Sequence, residues 1–521
     1  MPALEPFSIE SMDGRSVAFP AGRSALVAFV KEDCPTCNTV MPVLEAFRKA
    51  APDVDWLVLG QDEGGNRILA DRYDLGAPLL NDDALKVSFA WDIEIVPTVF
   101  LTDAEGQLVA RLDGFAREDW QAFATQLAAP GTEPSIDWDA LPEWRPGCGS
   151  RSADPLIAEK LQAEAENSPL RARRIEVAPG DDEVEFMYDQ GFTDGLPVVP
   201  PTPERVLRML SGTTRDPQQL VATVPPNMAP ATVEKVAINA VMAGCKPEYL
   251  PVVIAALQAA CTETFNVHGV MATTMGASPV MVINGPIRDR IGMNMKLGAL
   301  GRGNRANAAI GRALRLCIQN IGGSRAGGTD RSTLGNPMKY TMCFAEFEER
   351  SNWEPLHVER GFGKEESVVT LYPGTGFQQL VDQKSRSAEQ LAGSFAMMMK
   401  DIFHPRAHGM SDCLLVVCPE HVDTLSTGNF SKADLRRHIQ TATAVPLGEL
   451  QADERSGEGL DPARAATMSA EQLATPVPKF RSDDMIHIVV AGSDAGKFSG
   501  LIHGWVGGEV GSVPTSVRIE D

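Results

Sequence analysis

Cys34-Pro35-Thr36-Cys37 sets two thiols three positions apart, directly after the apolar run Ala25 to Val30 and ahead of Val40, Met41, Leu44 and Phe47 at helical spacing. A short run that is apolar throughout reads as a strand buried on both faces, and the spacing after it as an amphipathic helix. Cys34 is then expected at a helix N-terminus, where the helix dipole and free N–H groups favour a thiolate, with Cys37 one turn in as the buried resolving thiol. The chemistry is dithiol–disulfide exchange. The same spacing also serves as half of a zinc site, but the chain has no second Cys-x-x-Cys and only 8 His.

The elements that must position this pair follow in the sequence. Ile93-Glu94-Ile95-Val96-Pro97 leads into the apolar strand Thr98 to Leu101, then the turn Asp103-Ala104-Glu105-Gly106 and a second strand, Gln107 to Leu112. A proline at such a strand start is a candidate cis bond. On these residues, positions 1 to about 128 resemble a thioredoxin-like domain of the peroxiredoxin-related or membrane-anchored-reductase type. The resemblance implies that Cys34 attacks, Cys37 resolves and Pro97 faces the dithiol to bind substrate. Asp33 stands where many members carry Trp.

A second cysteine motif, Gly147-Cys148-Gly149-Ser150-Arg151, follows the proline-rich, acidic stretch 129–146, which carries Trp138 and Trp144. Such composition predicts an extended linker spanning about 3 Å per residue. Glycines on both sides leave backbone N–H groups free to surround the sulfur, and Arg151 adds a positive charge favouring thiolate. A flexible loop with an incidental cysteine is the plainer reading of the same residues. The motif, together with Asp194-Gly195-Leu196-Pro197-Val198-Val199-Pro200-Pro201, the segment Glu234 to Cys245 and the segment Trp353 to Phe362, resembles the bacterial family named for a selenocysteine-Gly-Ser-Cys (UGSC) motif, over roughly residues 147 to 505. The resemblance implies nucleophilic or redox chemistry at Cys148, the selenocysteine position. Arg151 replaces the second motif cysteine, so the local resolving thiol is missing and the Cys34/Cys37 pair is its natural substitute.

Other residues are candidates on type and context. His268 is a candidate acid or base, or else a satisfied core residue. His357 and Glu359, two apart and expected on an extended strand, suit a proton relay or metal ligation, or else an ion pair with Arg360. Arg302 and Arg305 in the glycine-rich stretch Gly298 to Asn307, and Lys497 in Gly492 to Gly500, suit anion binding, with glycines for close helix packing as the alternative. No metal site is expected. Cys245, Cys261, Cys317, Cys413 and Cys418 fall in apolar segments and read as core thiols.

A chain of 521 residues with 43% hydrophobic residues buries large cores. The predicted class is α/β: a thioredoxin-like domain at 1–128, a linker at 129–146, and a large mixed α/β domain at 147–521, divisible near 365–385. A net charge of −22 argues against a nucleic-acid partner. The absence of a long apolar run argues against a membrane span, and nine scattered cysteines suit a reducing, cytoplasmic setting. The expected function is a thiol-dependent oxidoreductase or reductive lyase. Cys148 reacts with a small electrophilic substrate and swings on its linker to the dithiol at an effective concentration on the order of millimolar. An external thiol or thioredoxin reductase supplies electrons, no cofactor beyond the redox-active disulfide is needed, and a homo-oligomer is expected. The alternative is a non-catalytic thiol-exchange or soft-metal-handling protein.

Overall fold

Ala25 to Val30 are buried at every position, and the strand they form is the centre of the first sheet. The computed structural model describes residues 4–127, 132, 134–165, 168–175, 177–178, 180–508 and 511–520. The chain divides into two units, Met1–Ile175 and Glu176–Asp521.

In the first unit a hairpin, β1 (Phe7–Glu10) and β2 (Ser16–Phe19), precedes the central strand β3 (Ala25–Val30) and helix α1 (Pro35–Ala50). β4 (Asp55–Gly60), α2 (Glu63–Arg72), β5 (Leu80–Asn81), α3 (Lys86–Ala90), β6 (Ile95–Val96), β7 (Thr98–Thr102), β8 (Leu108–Asp113), β9 (Phe115–Ala116) and α4 (Arg117–Leu127) follow. The five-stranded sheet has the order β5-β4-β3-β7-β8. β3, β4 and β5 run parallel, and β7 and β8 pair antiparallel beside them. Helix α1 buries Val40, Met41, Leu44 and Phe47, and Phe29, Trp91 and Phe100 pack edge to face across the other side. This is a thioredoxin-like fold.

The expected linker is not one. Parts of it, 129–131 and 133, lie outside the described residues, but the rest is built into the first unit. Ile136, Trp138 and Leu141 pack against its core. β10 (Trp144–Arg145) pairs with β9, and β11 (Cys148–Gly149) pairs with β6. Helix α5 (Pro155–Ala165) ends the unit. The domain expected to begin at 147 therefore begins near 176. Trp138–Ala140 form a 3-10 turn, and the extended pieces after it are what adds to a sheet edge.

The second unit is mixed α/β. It comprises α6 (Glu183–Asp189), α7 (Pro203–Leu210), β12 (Leu220–Val224), β13 (Ala229–Thr232), α8 (Val233–Met242), α9 (Leu250–Ala260), α10 (Val267–Ala272) and β14 (Ser278–Asn284). It continues with α11 (Ile287–Arg290), α12 (Arg305–Asn320), β15 (Cys343–Ala345), α13 (Leu356–Glu359), β16 (Val368–Val381), α14 (Ala388–Met399), β17 (Ser411–Val417), α15 (Pro419–Ser426) and α16 (Lys432–Thr443). β18 (Val445–Pro446), β19 (Pro476–Val477), β20 (Ile486–Val490), β21 (Phe498–Val506) and β22 (Thr515–Arg518) close it. Its seven-stranded sheet has the order β15-β14-β16-β21-β17-β20, with β22 also on β16. The division expected near 365–385 falls on β16, a 14-residue strand in the middle of that sheet. A break there would cut the core, so the unit is continuous.

Candidate active site

Cys34 stands at the N-cap of α1, in extended conformation, with Pro35 next. A proline at the first helical position costs no hydrogen bond because that N–H has no helical acceptor. The cap group is a sulfur: Cys37 N–H donates to Cys34 Sγ at 3.3 Å. Cys37 is fully buried, and its Sγ accepts from Lys31 N–H at 3.5 Å. The Val96–Pro97 bond is cis, and Cys34 Sγ lies 3.4 Å from the Val96 carbonyl oxygen.

Cys148 joins this pair. In β11 it lies antiparallel to β6, with Cys148 opposite Val96 and Gly149 opposite Ile95. Ser150 N–H continues the ladder to Glu94 carbonyl at 2.8 Å. The strand is tied down along its length. Thr36 hydroxyl donates to Pro146 carbonyl at 2.7 Å, and Ser152 hydroxyl to Ile93 carbonyl at 3.1 Å. Buried Gln61 donates to Ser150 Oγ at 2.6 Å and accepts from Arg151 N–H at 3.0 Å. Gly147 is required by this approach: a β-carbon there would stand 3.1 Å from both Ile95 Cδ1 and Val96 O. Gly149 faces open space and is not required in this way.

The three sulfurs share one negative charge. Cys34 is lowered to about 5, first by the hydrogen bond from the Cys37 thiol, with burial opposing, and then by the Cys148 thiol and the N–H groups of Cys37 and Thr36. Burial and then the Cys34 thiolate push Cys37 well above the ordinary thiol range. Cys148 is pushed up to about 11 by burial and by donating to Cys34. The low-pKa thiolate expected at Cys148 is thus at Cys34. Arg151 does not serve Cys148 either; it pairs with Asp62 at 2.8 Å and Glu32 at 3.8 Å. Of the three thiols, Cys34 is the one held acidic enough to serve as the nucleophile near neutral pH.

Cys34, Cys37, Pro97, Cys148 and Arg151 all lie in the first unit, whereas the remaining candidates are spread over separate elements of the second. His268 is exposed on α10. His357 lies on a one-turn helix rather than a strand, fully buried, with Nε2 3.3 Å from Lys364 carbonyl. Glu359 forms a structural ion pair, accepting from Lys432 at 2.8 Å and Arg436 at 3.0 Å, not from Arg360. Neither is arranged as a proton relay. Arg302 is exposed in its loop, and Arg305 opens α12 and donates to Gly244 carbonyl at 2.9 Å. Lys497 lies just before β21, which starts inside the loop expected at Gly492–Gly500. Among the described residues, no group of three or more His, Cys, Asp or Glu is placed to hold a metal ion, and no helix is long and apolar enough to cross a membrane. Thr36 and Gln61 were not recognised from the sequence. Gln61 carries no local signal, because its role depends on a segment about ninety positions away.

No protein-family model matches the chain. Thiol-disulfide oxidoreductase ResA of Halalkalibacterium halodurans is 25% identical over 130 residues, covering 24% of this chain and 74% of that protein. StoA from Bacillus subtilis is 19% identical over 23% of this chain and 98% of its own, with a TM-score of 0.21. The Streptococcus pneumoniae exposed lipoprotein thioredoxin Etrx1 is 22% identical over 24% of this chain and 98% of its own, with a TM-score of 0.21. These likenesses extend over about a quarter of the chain, which is there similar to thioredoxin-like thiol–disulfide oxidoreductases.

Proposed function

We propose that the chain is a thiol-dependent oxidoreductase in which Cys148 carries the product of reaction with a small electrophilic substrate and Cys34 removes it. The observation that carries this reading is the pairing of Cys148 with Val96, beside Pro97, the same Val96 whose carbonyl oxygen lies 3.4 Å from Cys34 Sγ. An extended strand bearing a cysteine thus already lies on the edge where a disulfide substrate of a dithiol would add. Once Cys148 bears a leaving group, the Cys34 thiolate attacks the Cys148 sulfur. The Cys34–Cys148 disulfide forms, and the group departs with the electron pair of its bond to sulfur. Cys37, after losing its proton, attacks Cys34, closes the Cys34–Cys37 disulfide and returns Cys148 as a thiolate. An external dithiol or a thioredoxin reductase supplies the two electrons that reopen it.

Sequence likeness to the selenocysteine/cysteine family at Cys148 supports this role, since selenolate and thiolate share it. The swinging linker is withdrawn, because Cys148 is docked. Turnover of a small disulfide, bis(2-hydroxyethyl) disulfide, with dithiothreitol as reductant tests the reading. Cys34→Ser is expected to abolish it, and Cys148→Ser to lower it roughly tenfold or more. Wild-type turnover in Cys148→Ser would overturn the proposal.

A further inference from the structure

Of the five cysteines read as core thiols, Cys418 differs from the others. It follows β17 and caps α15, and three strands of the second unit, β16, β17 and β20, bring their carboxyl ends to that same sheet edge. Open α/β sheets place their ligands at such edges. Two side chains converge on the thiol there. Ser499 Oγ lies 3.6 Å from Cys418 Sγ and accepts from Cys418 N–H at 3.1 Å. His421 Nδ1 lies 2.7 Å from the same Ser499 Oγ. The other ring nitrogen, Nε2, is 2.9 Å from Asp382 carbonyl oxygen. A carbonyl accepts only, so Nε2 carries the proton and Nδ1 presents its lone pair to Ser499. Nucleophile, bridging hydroxyl, base and the group that orients the base are therefore all in place.

We infer that Cys418, Ser499 and His421 form a second thiol centre, in which the Cys418 sulfur adds to the electrophilic carbon of a small uncharged molecule such as an aldehyde or thioester. The thiol gives its proton to Ser499 Oγ while the hydroxyl passes its own to His421 Nδ1, leaving thiolate and imidazolium. The sulfur bonds to the carbonyl carbon, and the carbonyl π pair moves onto oxygen. His421 returns the proton through Ser499 to that oxygen, or to a thiolate leaving group, so the step needs no oxidant or reductant. Burial disfavours a charged sulfur, yet contact with His421 and Ser499 outweighs it and holds Cys418 below the ordinary thiol range. Cys413 and Cys343, buried in the same sheet with no such partners, are pushed up. An uncharged substrate is required because all three side chains are almost fully buried. Gly492 packs against the cysteine, where an added β-carbon would stand 3.8 Å from Cys418 Cβ, and Gly496 N–H holds the following turn to the Glu420 carboxylate.

Timed alkylation of the native full-length protein with iodoacetamide at pH 7, read peptide by peptide by mass spectrometry, tests the inference. Cys418 is expected to label roughly tenfold or more faster than Cys413 and Cys343. His421→Gln and Ser499→Ala should each remove most of that advantage, and Glu420→Gln, which releases Gly496, should increase it. Labelling of Cys418 only at the rate of Cys343 in the wild type would overturn the inference without recourse to any variant. An unchanged Cys418 rate in His421→Gln would do the same.

Discussion

At the scale of single residues, the argument turns on which sulfur is charged. Cys34 receives hydrogen bonds from two thiols and from helix N–H groups, and hydrogen bonds to a charged group are each worth about 1.5–3 kcal/mol. Its alkylation rate should therefore be flat above pH 6 and fall by half near pH 5, the value set by those donors. Cys148→Ala removes one donor and should raise that midpoint by about one pH unit. The reverse holds for Cys148. Held up to about 11 partly by the Cys34 charge, it should become more acidic in Cys34→Ala, seen as faster alkylation at pH 9. A Cys34 midpoint near 9 would show that the three sulfurs do not share a charge as described. None of this sharing was legible in the sequence. Cys34 and Cys37 announced themselves by spacing, but the charge on Cys148 was misread from Arg151, the nearest cation in sequence. In space Arg151 answers to Asp62 and Glu32.

At the scale of elements, the segment from Trp144 to Ser152 decides what the dithiol can reach. It is fixed by short pairings to β9 and β6 and by the side chains of Thr36 and Gln61. Gln61→Leu leaves Arg151 N–H without its acceptor and Ser150 hydroxyl with Ser152 alone, and a buried polar group left unpaired costs about 1–3 kcal/mol. Amide hydrogen exchange over residues 148–152 should then rise roughly tenfold or more, while β3 and β7 stay protected. Equal exchange in wild type and variant would mean that the segment is not docked by these bonds. Here the sequence was informative about local conformation and silent about partners. Proline and glycine fix an extended path from 142 to 149. Whether such a path crosses solvent or joins a sheet depends on an edge just over fifty residues earlier. The helices and strands around the dithiol were legible because period and capping are local. By contrast, His357 and Glu359 were placed on a strand because two-residue spacing has no unique conformation, and they form one helical turn instead.

At the scale of the whole molecule, the division between the two units lies after Cys148 and not before it. A fragment of residues 1–175 should fold and keep the Cys34 midpoint near 5, whereas a fragment of residues 1–128 lacks Cys148 and should titrate about one pH unit higher. Equal midpoints would detach Cys148 from the dithiol. The second unit was legible as mixed α/β, but its single large sheet was not, since β16 joins partners far apart in sequence. The central claim, that Cys34 attacks Cys148, is tested most directly by trapping the intermediate. Full-length Cys37→Ser cannot resolve a mixed disulfide, so after oxidation its proteolytic digest should contain a peptide joining Cys34 to Cys148 as the major cross-linked species. The account is contradicted if Cys148 is shown to be oxidised in that sample while no such peptide forms.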